Sequence, residues 1–186
     1  MVRRIFKSQP PDNAEEAVLL TERHRWVLLG LDGSAHEHDW DPPKLELLTR
    51  DRGKALKYSD MPPYPTGGVI LLRPPALEAL GELLRRDGEL LPVHCDQAEV
   101  TLFNCTRVVD AMDELHSAVT RFKDGRIMTI ESIAFRPDAL PASVNAFRLA
   151  QKPKASVYFS EALVEAARAA KLVRSDFQLV WEETAR

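Results

Sequence analysis

The chain has 186 residues, of which 45% are hydrophobic and 28% charged, a composition that excludes wholesale disorder. Lys and Arg together number 25 and Asp and Glu 28, so the formal net charge is −3 at pH 7, without the basic excess typical of nucleic-acid-binding proteins. The length predicts one domain that holds its own core without a metal or a disulfide.

The sequence contains no recognisable targeting or membrane-spanning pattern. Its longest apolar stretches, residues 26–31 and 69–72, are far shorter than the roughly 20 residues that a membrane helix needs. Residues 1–11 lack the apolar core of a signal peptide. The two cysteines suit a reducing compartment. We therefore expect a cytoplasmic protein without membrane or nucleic-acid partners, whose oligomeric state the sequence leaves open.

The N-terminal part of the chain is predicted to be irregular. Residues 3–7 have the pattern of a short strand, and residues 13–23 that of a weak helix. The strongest break is the proline-rich segment 61–68, a predicted loop because proline cannot donate to a β-ladder and restricts the residue before it. This loop sets a soft internal boundary between residues 1–60 and residues 69–186 of the single domain.

Two helices are predicted after this boundary. The first begins at Pro74, because proline suits the first turn of a helix, and is closed by Gly88. The second begins after Ser160, a favourable N-cap residue. The apolar faces of the two helices consist of Leu77, Leu80 and Leu84, and of Leu163, Ala166, Ala167 and Ala170.

The remaining C-terminal segments have strand patterns. Residues 89–95 and 99–105 predict a hairpin, residues 126–135 a strand with a bulge, and residues 156–159 a short buried strand. Residues 176–182 alternate, which places Phe177, Leu179 and Trp181 on one buried face. Because strands and helices do not alternate regularly, the sequence predicts an α+β fold, a mainly antiparallel sheet with two to three helices packed on it.

Cys95 and Cys105 are predicted to be buried thiols that form no disulfide. In the predicted hairpin they are offset by roughly 17 Å along the strands, whereas a disulfide requires Cα atoms about 4.4–6.8 Å apart. A nucleophilic Cys95 beside His94 is disfavoured because neighbouring side chains in a strand point to opposite faces.

No motif of the sequence points to catalysis. Asp110 and Asp113 would face the same way on a helix, but such carboxylates more often cap a turn than act as an acid–base pair. Glycine-rich phosphate-binding motifs and nucleophile-elbow motifs do not occur. We therefore predict no catalytic residue and no cofactor, and a protein that is not an enzyme.

Residues 36–41, His-Glu-His-Asp-Trp-Asp, have the composition of a metal site. A binuclear metallohydrolase motif of the form His-x-His-x-Asp-His would need Asp and His where this chain has Trp40 and Asp41. We expect a solvated acidic loop without a bound metal. A metal-dependent hydrolase built on the His36–Asp41 cluster is kept as the alternative.

The same region predicts an interaction surface. Between residues 30 and 41 there are four acidic residues and no Lys or Arg, and an acidic rim attracts a cationic partner. Trp40 and the proline-flanked Tyr64 are of the aromatic type that anchors interfaces. The predicted partner-binding residues are Asp32, Glu37, Asp39, Trp40, Asp41 and Tyr64.

Several short segments between residues 69 and 183 occur in a characteristic order and spacing. They are Leu91-Pro92-Val93, Phe103-Asn104, Val108 to Asp113 with Ser117, Gly125 before a strand at 127–135, Phe147-Arg148-Leu149 and Ser160-Glu161. With these segments the chain resembles a family of bacterial polymorphic-toxin immunity proteins, immunity family eleven. It departs from the family pattern before the last strand, where Arg174-Ser175 replaces a glycine.

The resemblance implies a non-enzymatic protein that binds and neutralises a cognate secreted antibacterial toxin by stoichiometric protein–protein interaction. Such a protein acts by covering the toxin's active site or its substrate channel. A toxin-loading adaptor, which binds the toxin without blocking it, stays open as a further alternative.

Overall fold

The computed structural model describes residues 3–9, 11–20, 25–66 and 68–183, without the side chains of Trp26 and Val27. The chain is an α+β protein with several antiparallel-rich sheets, as the sequence predicted. Its α-helices in the described ranges are α1 (Arg25–Gly30), α2 (Pro74–Arg85) and α3 (Glu161–Ala169), and a 3-10 helix covers Pro137–Ala139. None of these helices has the length and apolar character needed to cross a bilayer.

The strands are short and numerous. In chain order they are β1 (Arg4–Ser8), β2 (Glu16–Leu19), β3 (Lys44–Leu48), β4 (Arg50–Asp51), β5 (Lys54–Ala55), β6 (Ile70–Leu72), β7 (Gly88–Pro92), β8 (His94–Cys95), β9 (Thr101–Cys105), β10 (Val108–Val109), β11 (Ala118–Arg121), β12 (Ile127–Ser132), β13 (Ala146–Leu149), β14 (Tyr158–Ser160) and β15 (Phe177–Glu182).

The largest sheet has five strands in the order β10-β13-β14-β1-β15. The N-terminal strand β1 pairs antiparallel with β14 on one side and β15 on the other. Phe6 belongs to a core cluster that includes buried residues of α2 and α3, whereas Ile5 belongs to a second cluster. Because successive strand residues face opposite ways, both faces of this sheet are covered.

A three-stranded sheet in the order β6-β9-β7 lies between two clusters. Phe103 belongs to the first cluster, and Leu102 to a third cluster shared with β2 and β3. The sheet β2-β3-β8 supplies the other side of this third cluster through Ala17 and Leu45. The pairs β4–β5 and β11–β12 form separate two-stranded hairpins.

The helix predicted over residues 13–23 is wrong, because residues 16–19 form strand β2. Strand β2 pairs antiparallel with β3, with Ala17 opposite Leu47 and fully buried. The apolar run Ala-Val-Leu fits either periodicity, and a partner strand distant in sequence decides between them. Residues 21–23 of the predicted helix lie outside the described residues.

The two C-terminal helices occur where they were predicted, with one difference at an end. Ser160 caps α3 by accepting a hydrogen bond from Leu163 N at 3.4 Å, and Leu163, Val164 and Ala167 are buried. Helix α2 ends with Arg86 as its C-cap in a right-handed conformation, so Gly88 does not close it. Gly88 instead begins β7.

The hairpin β7–β9 is confirmed, but its register excludes Cys95. Gly88 pairs with Cys105 and Pro92 with Thr101, whereas Cys95 lies in β8, parallel to β3. Both cysteines are free thiols, as predicted, but only Cys105 is buried, because Cys95 lies in the short strand β8 and is partly exposed. Burial raises the pKa of the Cys105 thiol to about 12.

The predicted alternation of the last strand is broken by a β-bulge. Trp181 pairs with Ile5 and Leu179 with Phe6, so Val180 is an extra residue between two paired positions. Leu179 is 45% exposed, whereas Val180 and Trp181 pack against the second cluster. The predicted irregularity of the 126–135 strand is present, since β11–β12 has two register shifts.

The described residues of the segment 61–68 form no helix or strand, in agreement with the predicted loop. Met61 and Pro62 are buried, and Met61 packs in the first cluster. The soft boundary between residues 1–60 and 69–186 stays a prediction.

Candidate functional site

The acidic loop, defined here as residues 31–43, connects α1 to β3 and is packed tightly at its start. Leu28 and Leu31 are buried in the third cluster. Gly33 has a φ of +101°, and a Cβ atom there would lie 2.3 Å from Val108 Cγ2. Only glycine fits this position, because the conformation is left-handed and the loop backbone contacts β10.

Two side chains of the β7–β9 hairpin hold the middle of the acidic loop. The carboxylate of Glu89 accepts hydrogen bonds from His36 N at 2.8 Å and from Glu37 N at 3.0 Å. The fully buried Asn104 donates through Nδ2 to Ser34 O and to Glu89 Oε2, both at 2.9 Å. The loop backbone is therefore fixed by contacts to a rigid sheet.

Asp32 and Trp40 are tied into the loop and its supporting sheet. The hydrogen bonds that Asp32 accepts from the Ser34 hydroxyl and backbone hold the pKa of Asp32 below its usual value, against the opposing effect of burial. The indole N–H of Trp40 donates to Pro92 O at 2.7 Å, and its ring packs against the third cluster. Trp40 is therefore half-buried and fixed in orientation.

The remaining predicted acidic residues of the loop face solvent. Glu37, Asp39 and Asp41 are exposed, and Asp39 Oδ1 lies 3.4 Å from His36 Nδ1. No Lys or Arg lies between residues 30 and 41. The structure thus leaves these three carboxylates exposed on a loop whose backbone is held at His36 and Glu37.

Tyr64 does not lie on the acidic loop. It borders a depression with Lys7, Val69 and Val157, on the β6 side of the three-stranded sheet. Trp40 is bonded to β7 on the opposite edge, with β9 between them. The two predicted aromatic residues are therefore placed on different edges of one sheet.

Sequence reasoning missed the two supporting residues, Glu89 and Asn104. The sequence predicts that both residues lie in hairpin strands, and Asn104 also lies in a segment of the family resemblance, but neither is predicted to support the loop. An amide between Phe103 and Cys105 in a buried strand needs a hydrogen-bond partner, so this position carried a usable signal. The partner itself could not be inferred, because the loop lies about 70 residues away in the chain.

The His36–Asp41 segment, the alternative metal cluster of the sequence analysis, has only one close pair of these side chains, His36 and Asp39, among the contacts of the described residues. His36 faces Asp39 and lies 6.2 Å from the Trp40 ring, and His38 is exposed. Within the described ranges, no three His, Cys, Asp or Glu side chains are grouped as metal ligands. The hydrolase alternative has no structural observation in its favour and stays a prediction.

The carboxylates Asp110 and Asp113 serve different local contacts. Asp113 caps a turn by accepting from Leu115 N at 3.1 Å, and Asp110 pairs with Arg136 at 2.8 Å. The turn-capping interpretation of the sequence is confirmed for Asp113.

The contribution of Glu89 to stability should depend on pH. Burial by itself raises the pKa of Glu89, but the hydrogen bonds from His36 N, Asn104 and Glu37 N outweigh burial and hold it below its ordinary value. A depressed folded-state pKa means that this contribution is present above the unfolded pKa of about 4.3 and is lost as the pH falls through the folded value.

We expect Glu89→Gln to lower the free energy of unfolding at about pH 7 by about 1–2 kcal/mol, with a difference from wild type that shrinks towards about pH 3. Urea unfolding across this pH range measures the effect. The matched control is Glu99→Gln, an exposed carboxylate on the turn that leads into β9. If Glu89→Gln lowers the free energy of unfolding equally at the neutral and the acidic pH, the hydrogen bonds assigned to the ionised carboxylate are contradicted.

Comparison with known proteins adds no assignment: no family model matches the chain, and no curated protein sequence matches it.

Proposed function

We propose that this protein binds a cationic protein surface through its acidic loop, and that the partner is a secreted antibacterial toxin that it neutralises. The observation that carries the proposal is the Glu89 carboxylate holding the backbone of His36 and Glu37. These hydrogen bonds hold the backbone that carries Glu37 and Asp39 in one conformation before any partner is bound.

The fixed arrangement lowers the cost of binding. An interface loop that becomes ordered on docking loses conformational entropy, at about 0.5–1.5 kcal/mol for each immobilised side chain. Here Glu89 and Asn104 already order the backbone, and the bond to Pro92 already orients Trp40. The binding energy of the partner is therefore not used to order the loop.

The charge of the loop suits a basic partner. Glu37, Asp39 and Asp41 are exposed in a segment without Lys or Arg, so they attract a cationic surface and accelerate its approach. Trp40 at the edge of this surface supplies apolar contact area. Arg and aromatic residues are the usual anchors at such interfaces.

The identity of the partner as a toxin is supported by the sequence resemblance to immunity family eleven alone. A neutralising partner must bind tightly, because free toxin is lethal, and a nanomolar Kd corresponds to about −12 kcal/mol. An interface of about 1,600 Å² in total area is typical of such complexes. The mechanism is steric, since the bound protein covers the active site or the substrate channel of the toxin.

Charge reversal on the loop tests the binding surface. We expect the double variant Glu37→Lys, Asp39→Lys to bind the toxin encoded beside this gene with an association rate about tenfold lower and with a weaker salt dependence. Stopped-flow association at low and moderate salt measures both. The control is Glu78→Lys, Glu82→Lys, which makes the same charge change on the exposed side of α2. Equal rates for the two variants would remove the loop from the interface.

Growth and activity assays separate the proposed function from its alternatives. Co-expression with the adjacent toxin should restore growth, and the purified toxin should lose activity in the stoichiometric complex. A complex in which the toxin stays active would identify an adaptor. Stoichiometric zinc or manganese, lost in the His36→Ala, His38→Ala variant, would favour the hydrolase.

A further inference from the structure

The hairpin that follows β3 is exposed and basic, although the whole chain has a formal net charge of −3. We call residues 49–57 the cationic hairpin; they include β4, the turn and β5. Its charged side chains are exposed, with a single acid, Asp51, against the four basic residues Arg50, Arg52, Lys54 and Lys57. Among the described residues, none of these four forms an ion pair, and the Arg50 guanidinium instead donates to Gly53 O at 3.2 Å. The hairpin therefore keeps an excess of positive charge.

The backbone of the cationic hairpin is held in one conformation. Strands β4 and β5 pair antiparallel and leave a two-residue loop between them. Arg52 and Gly53 in this loop have φ angles of +45° and +82°, and a type I′ turn requires a positive φ at both positions. At the base of the hairpin, Lys57 N donates to Asn13 O at 2.7 Å. The basic side chains are thus carried on a backbone that is ordered before any partner binds.

The cationic hairpin and the acidic loop lie at opposite ends of one strand. The acidic loop leads directly into β3, and the cationic hairpin directly follows it. The first and last Cα atoms of β3 are roughly 13 Å apart, at about 3.3 Å for each residue. Because β3 pairs with both β2 and β8, it holds the two surfaces at a fixed separation.

The charges around β3 leave this polarity in place. The exposed charged residues of β3 itself, Lys44 and Glu46, are one of each sign. Glu16 is exposed opposite Leu48 in β2, and it lowers the positive excess at the hairpin end by one charge without reversing it. At the other end, the acidic loop has no Lys or Arg. One end of β3 is therefore negative and the other positive.

We propose that the cationic hairpin binds the acidic loop of a second copy of this chain, so that the free protein associates into a two-fold symmetric dimer. A two-fold axis perpendicular to β3 reverses the strand. It brings the hairpin of each copy to the acidic loop of the other, and two identical contacts form together. A parallel placement of the two copies is disfavoured because it puts like charges together. The charge complementarity of the chain to itself thus specifies both the occupant and its orientation.

Self-association does not depend on the proposed function, although both use the acidic loop. A bound toxin and a second copy would cover the same carboxylates, so they exclude each other. A nucleic acid is the less favoured occupant of the cationic hairpin. The acid Asp51 lies within it, and residues 49–57 include no aromatic side chain on which a base could stack.

Sedimentation velocity of the full chain tests the proposed dimer. We expect dimers at an ionic strength of about 0.01 M, where the Debye length is about 30 Å, and monomers at about 1 M, where it is about 3 Å. The hairpin variant is Arg52→Glu, Lys57→Glu, and the loop variant is Glu37→Lys, Asp39→Lys. Each should raise the dimerisation Kd at least tenfold at low salt. All four side chains are exposed, so the stability should change little.

A mixture of the two variants tests which surfaces meet. In a mixed dimer the reversed hairpin faces the reversed loop and the two unchanged surfaces face each other, so both contacts are attractive again. We expect the mixture to dimerise, whereas each variant alone stays monomeric. The control is Glu78→Lys, Glu82→Lys, which makes the same charge change as the loop variant on the exposed side of α2. It should dimerise as wild type does and should not bind the hairpin variant.

Three results would overturn the inference. The first is a wild-type chain that stays monomeric at low ionic strength. The second is a dimer that neither reversal weakens, or a mixture of the two variants that stays monomeric, because the contact would then not join the hairpin to the loop. The third is a monomeric chain that binds labelled double-stranded DNA and loses this binding in the hairpin variant, because nucleic acid would then be the occupant.

Discussion

Replacing Arg148 with methionine should lower the free energy of unfolding by about 3 kcal/mol or more. The guanidinium is fully buried in β13 and donates to Cys105 O at 2.9 Å, Pro153 O at 3.0 Å and Gly68 O at 2.8 Å. Methionine fills a similar volume but cannot donate a hydrogen bond. Three carbonyl groups, two of them in fully buried hydrogen bonds, would then lose this donor, at about 1–3 kcal/mol for each buried group before relaxation.

The partners of Arg148 make this effect large. A buried ion pair can be replaced as a whole by apolar residues at little cost, because both charges disappear together. Here the acceptors are backbone carbonyls of three separate segments, which no substitution removes. Arg148 therefore connects the end of β9 with residue 68, just before β6, and with residue 153, between β13 and β14.

Urea unfolding at neutral pH measures this loss of stability. We expect the midpoint of unfolding to fall to a lower urea concentration, while the slope of the unfolding free energy against urea concentration stays unchanged. Arg85→Met is the matched control, since Arg85 pairs with Glu82 at 3.8 Å and the two side chains are 61% and 91% exposed. An exposed pair contributes about 0–1 kcal/mol, so this variant should stay close to wild type. If Arg148→Met lowers the free energy of unfolding no more than the control does, the carbonyl groups find other hydrogen-bond donors.

The substitution Gly88→Ala is expected to destabilise the protein by roughly 3 kcal/mol, and Gly81→Ala to stabilise it by about 0.5–1 kcal/mol. A Cβ atom at Gly88 would lie 2.2 Å from Asn104 O and 2.9 Å from Cys105 Cα, both backbone atoms of the paired strand. A Cβ atom at Gly81, inside α2, would meet Leu77 Cδ1 at 3.5 Å, an ordinary contact. The same added methyl group is thus expected to lower the stability at position 88 and to raise it at position 81.

The Gly88 variant should also loosen the acidic loop. To relieve the overlap, β7 has to move away from β9 at the place where Glu89 and Asn104 support the loop. We expect faster amide hydrogen exchange at His36 and Glu37 in Gly88→Ala and wild-type exchange in Gly81→Ala. Thermal and urea unfolding give the stabilities. Equal stabilities for the two variants would contradict the close strand contact.

Local sequence patterns identified the elements whose determinants lie within a few residues. The cap of α3 was predictable because the Ser160 hydroxyl satisfies a backbone N–H only three positions away. The first turn of α2 was predictable because proline needs no N–H there. The α+β class followed from the irregular order of these elements.

Elements that depend on distant partners were missed or placed wrongly. Strand β2 is selected by pairing with β3, about 30 residues later, over the weak helical pattern of the same residues. A bulge that forms only against β1 places Trp181 on the opposite side of β15 from Phe177 and Leu179. In both cases the local pattern allowed two structures with similar free energy. Pairing with a strand distant in sequence determined which of the two formed.

In the candidate site, too, the sequence predicted some features and only the tertiary structure determined the others. Composition alone located an acidic, cation-free segment with Trp40, because charge and residue type do not depend on the fold. Only the tertiary structure assigned Glu89 and Asn104 as its supports and placed Tyr64 on another sheet edge. Buried polar groups find partners through space rather than along the chain, so their pairing is decided by packing.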